Sequence, residues 1–264
     1  MKKKKKIFSS IYLTVVLIAL YLPILMVVLY SFNAGRSPSS WQGFSTVWYE
    51  RLFQNALMGS ALKNSLILAA LSSGLAGIVG TMGAMAMAHS RFRGFGALET
   101  VATLPMMIPE LVLGMAYLAL FTAVGIPLGM GAMVLTHTAF CIPYVFINVK
   151  ARLIGMDPSL AEAARDLGAS PLRVFLDITL PLISPSIVSG MMLAAAMSLD
   201  DVVISFFVTN AEANTLPLKV YTGLRSGGTP EINALSTLML AGIFLIVALS
   251  QFFAARKHTD TPPV

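Results

Sequence analysis

Long apolar runs set off by short polar stretches organise this chain from end to end. Six of them approach or exceed the roughly 20 mostly apolar residues that a helix needs to cross a bilayer: residues 7–32, 61–88, 98–123, 130–149, 183–208 and 233–254. The pattern predicts an all-α polytopic membrane protein with six transmembrane helices over residues 7–254. A basic stretch (1–6) precedes them, and a short polar tail (255–264) follows. The first apolar run is far longer than the roughly 7–15 residues of a signal-peptide core, so it reads as an uncleaved signal-anchor helix. The first loop contains Trp41, Trp48 and Tyr49, rings suited to the headgroup level, with a short interfacial helix expected around 46–53. A further short helix is expected over 216–225.

Composition strengthens this picture. Of 264 residues, 56% are hydrophobic and only 11% charged, with a mean hydropathy of +0.79. Soluble domains carry roughly 25% charged residues, so lipid must cover much of this surface. The net charge of +6 is concentrated at Lys2 to Lys6, directly before an apolar segment. That location indicates anionic lipid at a cytoplasmic face and not nucleic acid.

Basic residues also set the orientation. With the N-terminus inside, the cytoplasmic segments hold Lys2 to Lys6, Arg91, Arg93, Lys150, Arg152, Arg165, Arg173, Arg256 and Lys257. The outer segments hold only Arg36, Arg51, Lys63, Lys219 and Arg225. The positive-inside rule then places both termini in the cytoplasm. Small residues in the second run (Gly74, Gly77, Gly80, Gly83, Ala84) are expected to let helices approach closely. Cys141, the sole cysteine, lies in an apolar run and reads as a small core residue.

Acids inside the apolar runs are the first chemical signal. Asp200 and Asp201 lie deep in the fifth run, and Glu110 lies near the middle of the third, just after Pro109. An Asp at the centre of a membrane helix costs about 2.5–3.5 kcal/mol on insertion scales, and no Lys or Arg lies at similar depth. The acids therefore call for a cationic partner or a water-filled path; the competing reading is a hydrogen-bonded or protonated structural role. Adjacent residues on a helix point about 100° apart, so Asp200 and Asp201 cannot both face one path, and the pattern does not choose between them. Tyr117, Tyr144, Phe206 and Phe207 could add cation–π contacts or simply pack. Pro105, Pro109 and Pro143 are expected to break or kink spans around a path.

The loop between the fourth and fifth runs is the second signal. Asp157 is placed to cap a helix, Pro158 suits its first turn, and Ser159 with Glu162 has capping-box spacing. Gly168 supplies a left-handed stop. Ser170 and Pro171 start a second helix, which Pro181 is expected to end. Ala161, Ala163 and Ala164 make a narrow helix that another protein could grip, with Glu162, Arg165 and Asp166 to fix register. A solvated connector is the bland alternative.

The order Glu162-Ala163-Ala164, Gly168, Ile178-x-Leu180-Pro181 resembles the EAA motif of bacterial ABC importer permeases, with every fixed position filled at the family's spacing. Nearly the whole chain is similar to the PotC-type permease subunits of spermidine/putrescine importers. The carrying stretches are Trp41-Gln42-Gly43-Phe44, Ser90-Arg91-Phe92-Arg93-Gly94, Glu162 to Ser170, Ser198-Leu199-Asp200-Asp201-Val202-Val203-Ile204, Leu216 to Tyr221 and Pro230 to Leu235.

This resemblance implies a type I ABC importer permease fold in a bacterial inner membrane. It implies a second homologous permease subunit, a periplasmic polyamine-binding protein, and a cytoplasmic ABC ATPase dimer docked on the coupling loop at about 157–181. Glu162, Ala163, Ala164, Arg165, Asp166 and Gly168 would make that coupling. Asp200, Asp201, Glu110, Tyr117 and Phe206 would line a polyamine path.

Other classes leave no trace. No G-x-x-x-x-G-K-[ST] loop is present, so ATP and Mg are expected in the partner ATPase, with no cofactor here. His89, His137 and His258 form no HExxH or Cys–His metal spacing, and no G-x-S-x-G occurs. His137 reads as a hydrogen-bonded bundle residue. An autonomous carrier would need more spans or an internal repeat, and a permease half for a different small solute is the nearer alternative.

Overall fold

The computed structural model describes residues 2–36, 40–89, 95–225, 230–241 and 244. Among these the only regular structure besides helices is one isolated antiparallel bridge, Asn33 to Phe44. The helices are α1 (Lys2–Tyr30), α2 (Val47–Gln54), α3 (Ala56–His89), α4 (Phe95–Thr103), α5 (Glu110–Val124), α6 (Met130–Ile154), α7 (Ser159–Asp166), α8 (Pro171–Val174), α9 (Leu180–Asp200), α10 (Val203–Val208) and α11 (Leu216–Arg225). Four helical stretches are long and apolar enough to cross a membrane, or five if the bent third span counts as one. Residues 230–241 are helical as well. The rest of the expected sixth span and the tail lie outside the described residues, apart from Phe244.

The chain divides into two compact units, residues 1–59 with 220–264, and residues 60–219. In the first, α1 leaves its apolar surface uncovered, as a lipid-embedded helix can. The loop after it folds around Asn33, whose side chain accepts from the Gln42 backbone at 2.7 Å and donates to the Ser40 carbonyl. Trp48, on the predicted interfacial helix, does not stand free at a headgroup surface. It is buried, and its indole N–H donates to the Asn33 carbonyl at 2.6 Å. A buried indole needs such a partner, and the folded loop supplies it. Trp41 remains exposed.

The second unit is built on α6. Leu68, Met133, Val145, Phe146, Val149, Ile183 and Ile204 form its fully buried core. Two glycines set the spacing on either side of Val145. A Cβ on Gly190 of α9 would lie 2.8 Å from the Val145 Cα, and one on Gly80 of α3 would lie 3.0 Å from the Val145 Cβ. The expected role of small residues is met at Gly80, whereas Gly74 faces open space. Cys141 is buried, with its thiol directed to the Ala194 carbonyl.

Prolines act unequally. Pro143 leaves α6 continuous from Met130 to Ile154. Pro105 and Pro109 lie in the interruption of the third span, where the helical segments Glu99–Met106 and Glu110–Val124 meet at 109°. Pro181 does not end the second loop helix. The helix runs unbroken from Pro171 to Asp200 through a π-turn over Phe175–Thr179, in which the Leu180 amide donates to the Phe175 carbonyl. That wider turn accommodates the clash a proline makes with the carbonyl four residues before it.

Candidate functional site

Glu110 was expected in mid-span but stands at the first turn of α5, immediately after the bend. Pro109 precedes it in extended backbone (ψ 133°). Pro109 lacks an N–H, and the Val112 and Leu113 amides close the first turn on its carbonyl. An acid in this turn complements the positive end of the helix dipole. Its side chain is exposed.

The fifth span is also broken, without a proline. Helix α9 ends at Asp200, Asp201 takes extended backbone (φ −68°, ψ 128°), and α10 starts at Val203. The two adjacent acids therefore do not share one helix, and their surroundings differ sharply. Asp200 is exposed, whereas Asp201 is 5% exposed. Asp201 Oδ1 accepts from the Ile204 amide at 3.1 Å and Oδ2 from the Ser205 amide at 2.8 Å, so the carboxylate caps α10. The same Oδ2 lies 3.3 Å from His137 Nε2.

His137 sits wholly buried on α6 and holds this junction. Its Nδ1 is 2.8 Å from the Ser198 hydroxyl and its Nε2 is 3.1 Å from the Ser205 hydroxyl. The buried Ser72 of α3 donates to Ser198 at 3.1 Å. An imidazole with Nε2–H toward the carboxylate and Nδ1 accepting from Ser198 satisfies the set. Four helices meet in this network, in a setting where unsatisfied polar groups are costly. Asp201 is thus hydrogen-bonded at a helix junction, and the expectation of three unpartnered acids does not hold for it. Among the described residues no cluster of His, Cys, Asp and Glu is arranged to hold a metal.

Helices α5 and α10 pack side by side, which brings Glu110 within electrostatic range of both aspartates. The contact depends on Gly114, where a Cβ would lie 2.6 Å from the Phe207 ring. Tyr117 is half-buried against Phe121, with ring centroids 6.0 Å apart. Phe206 is exposed and edge-on to Phe207 at 5.6 Å.

The loop helices lie in the same unit. Asp157 Oδ1 accepts from the Ser159 amide at 2.9 Å, which holds its carboxyl below the usual carboxylate range. Asp157 caps α7, as its position led us to expect, whereas the expected Ser159–Glu162 box does not serve as the cap, because the helix begins at Ser159 itself. Gly168 adopts φ +83°, and the Ser170 hydroxyl accepts from the Arg173 amide. Glu162, Ala163, Arg165, Asp166 and Gly168 are exposed, Ala164 is half-buried, and Leu167 is 90% exposed.

Residues 78–256 match the family described as the binding-protein-dependent transport system inner membrane component. The chain belongs to that family. It is a multi-pass permease of a binding-protein-dependent importer, and so a transport component and not an enzyme.

Among its relatives, the spermidine/putrescine transport system permease protein PotC of Haemophilus influenzae is 42% identical over 94% of this chain and 96% of its own. The putrescine transport system permease protein PotI of Escherichia coli is 42% identical over 90% and 88%. A bacterial ABC transporter involved in import of the acidic polysaccharide alginate contains a chain of the same fold, with a TM-score of 0.74 over 95% of this permease at 16% identity. The resemblance read from the EAA run thus leads to the right family.

His137 was seen in the sequence only as a bundle residue. Its link to Asp201 spans 64 positions, and no local pattern encodes it.

Proposed function

We propose that this permease imports polyamines, spermidine or putrescine, across a bacterial inner membrane as one of two homologous permease subunits. The observation that carries the cargo is that Glu110 and Asp200 are both exposed and each stands at a span break, in a chain 42% identical to PotC and PotI permeases. Two carboxylates in a low-dielectric passage attract ammonium groups and disfavour anions. Tyr117 and Phe206 supply ring faces beside them. Asp201 belongs to the same path as the support of its wall.

The chain has six spans and both termini in the cytoplasm. A polyamine-loaded periplasmic protein engages the outer side, and a cytoplasmic ABC ATPase dimer, which binds ATP and Mg, engages the loop at 157–181. Glu162, Ala163, Ala164, Arg165, Asp166 and Gly168 make that second contact, supported by the exposure of α7 and of Leu160, Leu167 and Leu172 around it. ATPase closure tilts the loop, the rigid helix from Pro171 to Asp200 transmits the movement, and access alternates across the acids.

The test is uptake of labelled spermidine and putrescine by cells lacking the gene, with and without the chain restored. Restored uptake supports polyamine cargo. No change, with the permease and its ATPase both present, rejects polyamine cargo and leaves the permease assignment intact.

A further inference from the structure

The two aspartates of the fifth span are adjacent in sequence and opposite in circumstance. We infer that Asp201 is a positioning residue, which with His137 fixes the break in the fifth span so that Asp200 is the acid of the pair presented to cargo. This deepens the polyamine reading and rests on it for the identity of the cargo, though not for the geometry.

Three observations carry the inference. Both oxygens of Asp201 are occupied by backbone amides of α10, at 3.1 and 2.8 Å, and the second also faces His137. With 5% exposure, the carboxylate has no free edge to offer an ammonium group. The imidazole that holds it is anchored in turn by Ser198 of α9 and Ser205 of α10. One side chain of α6 thereby fixes the end of one half-span, the start of the next, and the residue between them. Asp200, which closes α9, inherits its direction from that junction.

Hydrogen-bond chemistry separates the two positions. Asn at 200 removes a charge and leaves the surroundings intact. Asn at 201 cannot reproduce the carboxylate, because whichever way the amide turns, its NH₂ faces a backbone N–H where an oxygen stood. An Asn substitution is therefore conservative at one position and disruptive at its neighbour.

The experiment uses the assembled importer in vesicles, with its ATPase and binding protein. For labelled spermidine, Asp200→Asn is expected to raise the half-saturating concentration several-fold. Asp201→Asn and His137→Ala are expected to raise it as well, because Asp200 loses its direction, and also to lower the maximal rate several-fold. The double variant should be no worse than either single one, because both open the same junction. Ser198→Ala, a milder change, should shift the rate in the same direction and by less, which guards against variants that fail to assemble.

A second arm needs no cargo. Cys141 is the only cysteine and is buried, so a Cys141→Ala, Asp200→Cys chain carries one reporter thiol. A small cationic thiosulfonate should label it, and adding His137→Ala or Ser198→Ala should change the labelling rate several-fold. Unchanged labelling in both, or a further rise in half-saturation when Asp201→Asn is added to Asp200→Asn, overturns the positioning role. If wild-type importer takes up no polyamine yet labelling still responds to His137→Ala, the cargo reading falls and the positioning role stands.

Discussion

The permease interrupts two of its spans near one another, and it does so by opposite means. Between α4 and α5 the interruption is covalent. Pro105 and Pro109 withhold N–H donors and the chain turns through 109°, with Glu110 exposed on the far side. Between α9 and α10 no proline is present. There the helix stops because Asp201 takes the first amides of α10 for itself, and because His137 and two serines hold that carboxylate in place. The first break persists wherever the prolines are. The second exists only while α3, α6, α9 and α10 are assembled. A break of the first kind is a fixed elbow, whereas one of the second kind is a joint whose stiffness is set by a handful of hydrogen bonds.

Both breaks are seated against the frame around α6, and the largest effect should come from that frame. Gly190→Leu places a side chain where even a Cβ would lie 2.8 Å from the Val145 backbone. Overpacking of this kind typically costs about 1–3 kcal/mol and occasionally more. Assembled permease should be largely lost from membranes, as scored by co-purification with its partners.

Next in size is removal of the joint itself. His137→Leu leaves a buried carboxylate without its imidazole, a loss of about 1–3 kcal/mol by the usual cost of a stranded buried polar group. The thermal midpoint of the purified complex should fall. Glu110→Gln, at the elbow, should change stability by no more than the roughly 0.5 kcal/mol typical of surface changes, leaving that midpoint nearly unmoved while lowering polyamine uptake. Equal destabilisation by the two substitutions would erase the contrast between elbow and joint.

A smaller effect is expected at the proposed coupling loop. Glu162→Lys should leave the fold intact, since the residue is exposed, but weaken stimulation of ATP hydrolysis by the loaded binding protein. Full stimulation in that variant would remove α7 from the coupling scheme.

The smallest effect belongs to the cap of α7. The carboxyl of Asp157 is held below its ordinary range by the Ser159 amide. Its contribution is therefore present above the ordinary carboxylate pKa, about 3.9, and disappears as pH falls through the lowered value. Asp157→Ala should speed hydrogen exchange of the first-turn amides of α7 at neutral pH, with the difference closing only in strong acid.

These contrasts also explain what could be read in advance. The first, second and fourth apolar helices, the short helices α2 and α11, the Gly168 stop and the proline-made break all follow from local composition and covalent geometry. So does the EAA run, whose spacing points to the right family. The break at Asp201 does not, because its cause lies 64 residues away at His137. A continuous apolar run on either side gave no local reason to stop a helix. The burial of Trp48 was not legible for a similar reason: nothing local announces the folded loop whose Asn33 carbonyl receives its indole N–H. Pro181 was given its usual meaning as a stop, and the π-turn before it cancelled that meaning.

That π-turn bears on what kind of motion the fifth span can deliver. The helix from Pro171 to Asp200 is 30 residues, about 45 Å at 1.5 Å per residue, and so it exceeds the roughly 30 Å hydrocarbon core. A π-turn holds one residue more than the α-helical turn it replaces, so it absorbs a residue that would otherwise rotate everything beyond it by about 100°. Deleting a single residue between Phe175 and Thr179 would restore an ordinary helix of almost the same length and leave Asp200 aimed as before, whereas winding the same residues as plain α-helix would turn Asp200 and the whole upper face by about 100°. The shaft is thus keyed in angle as well as in length, and twist, more than push, is the error it is built to exclude.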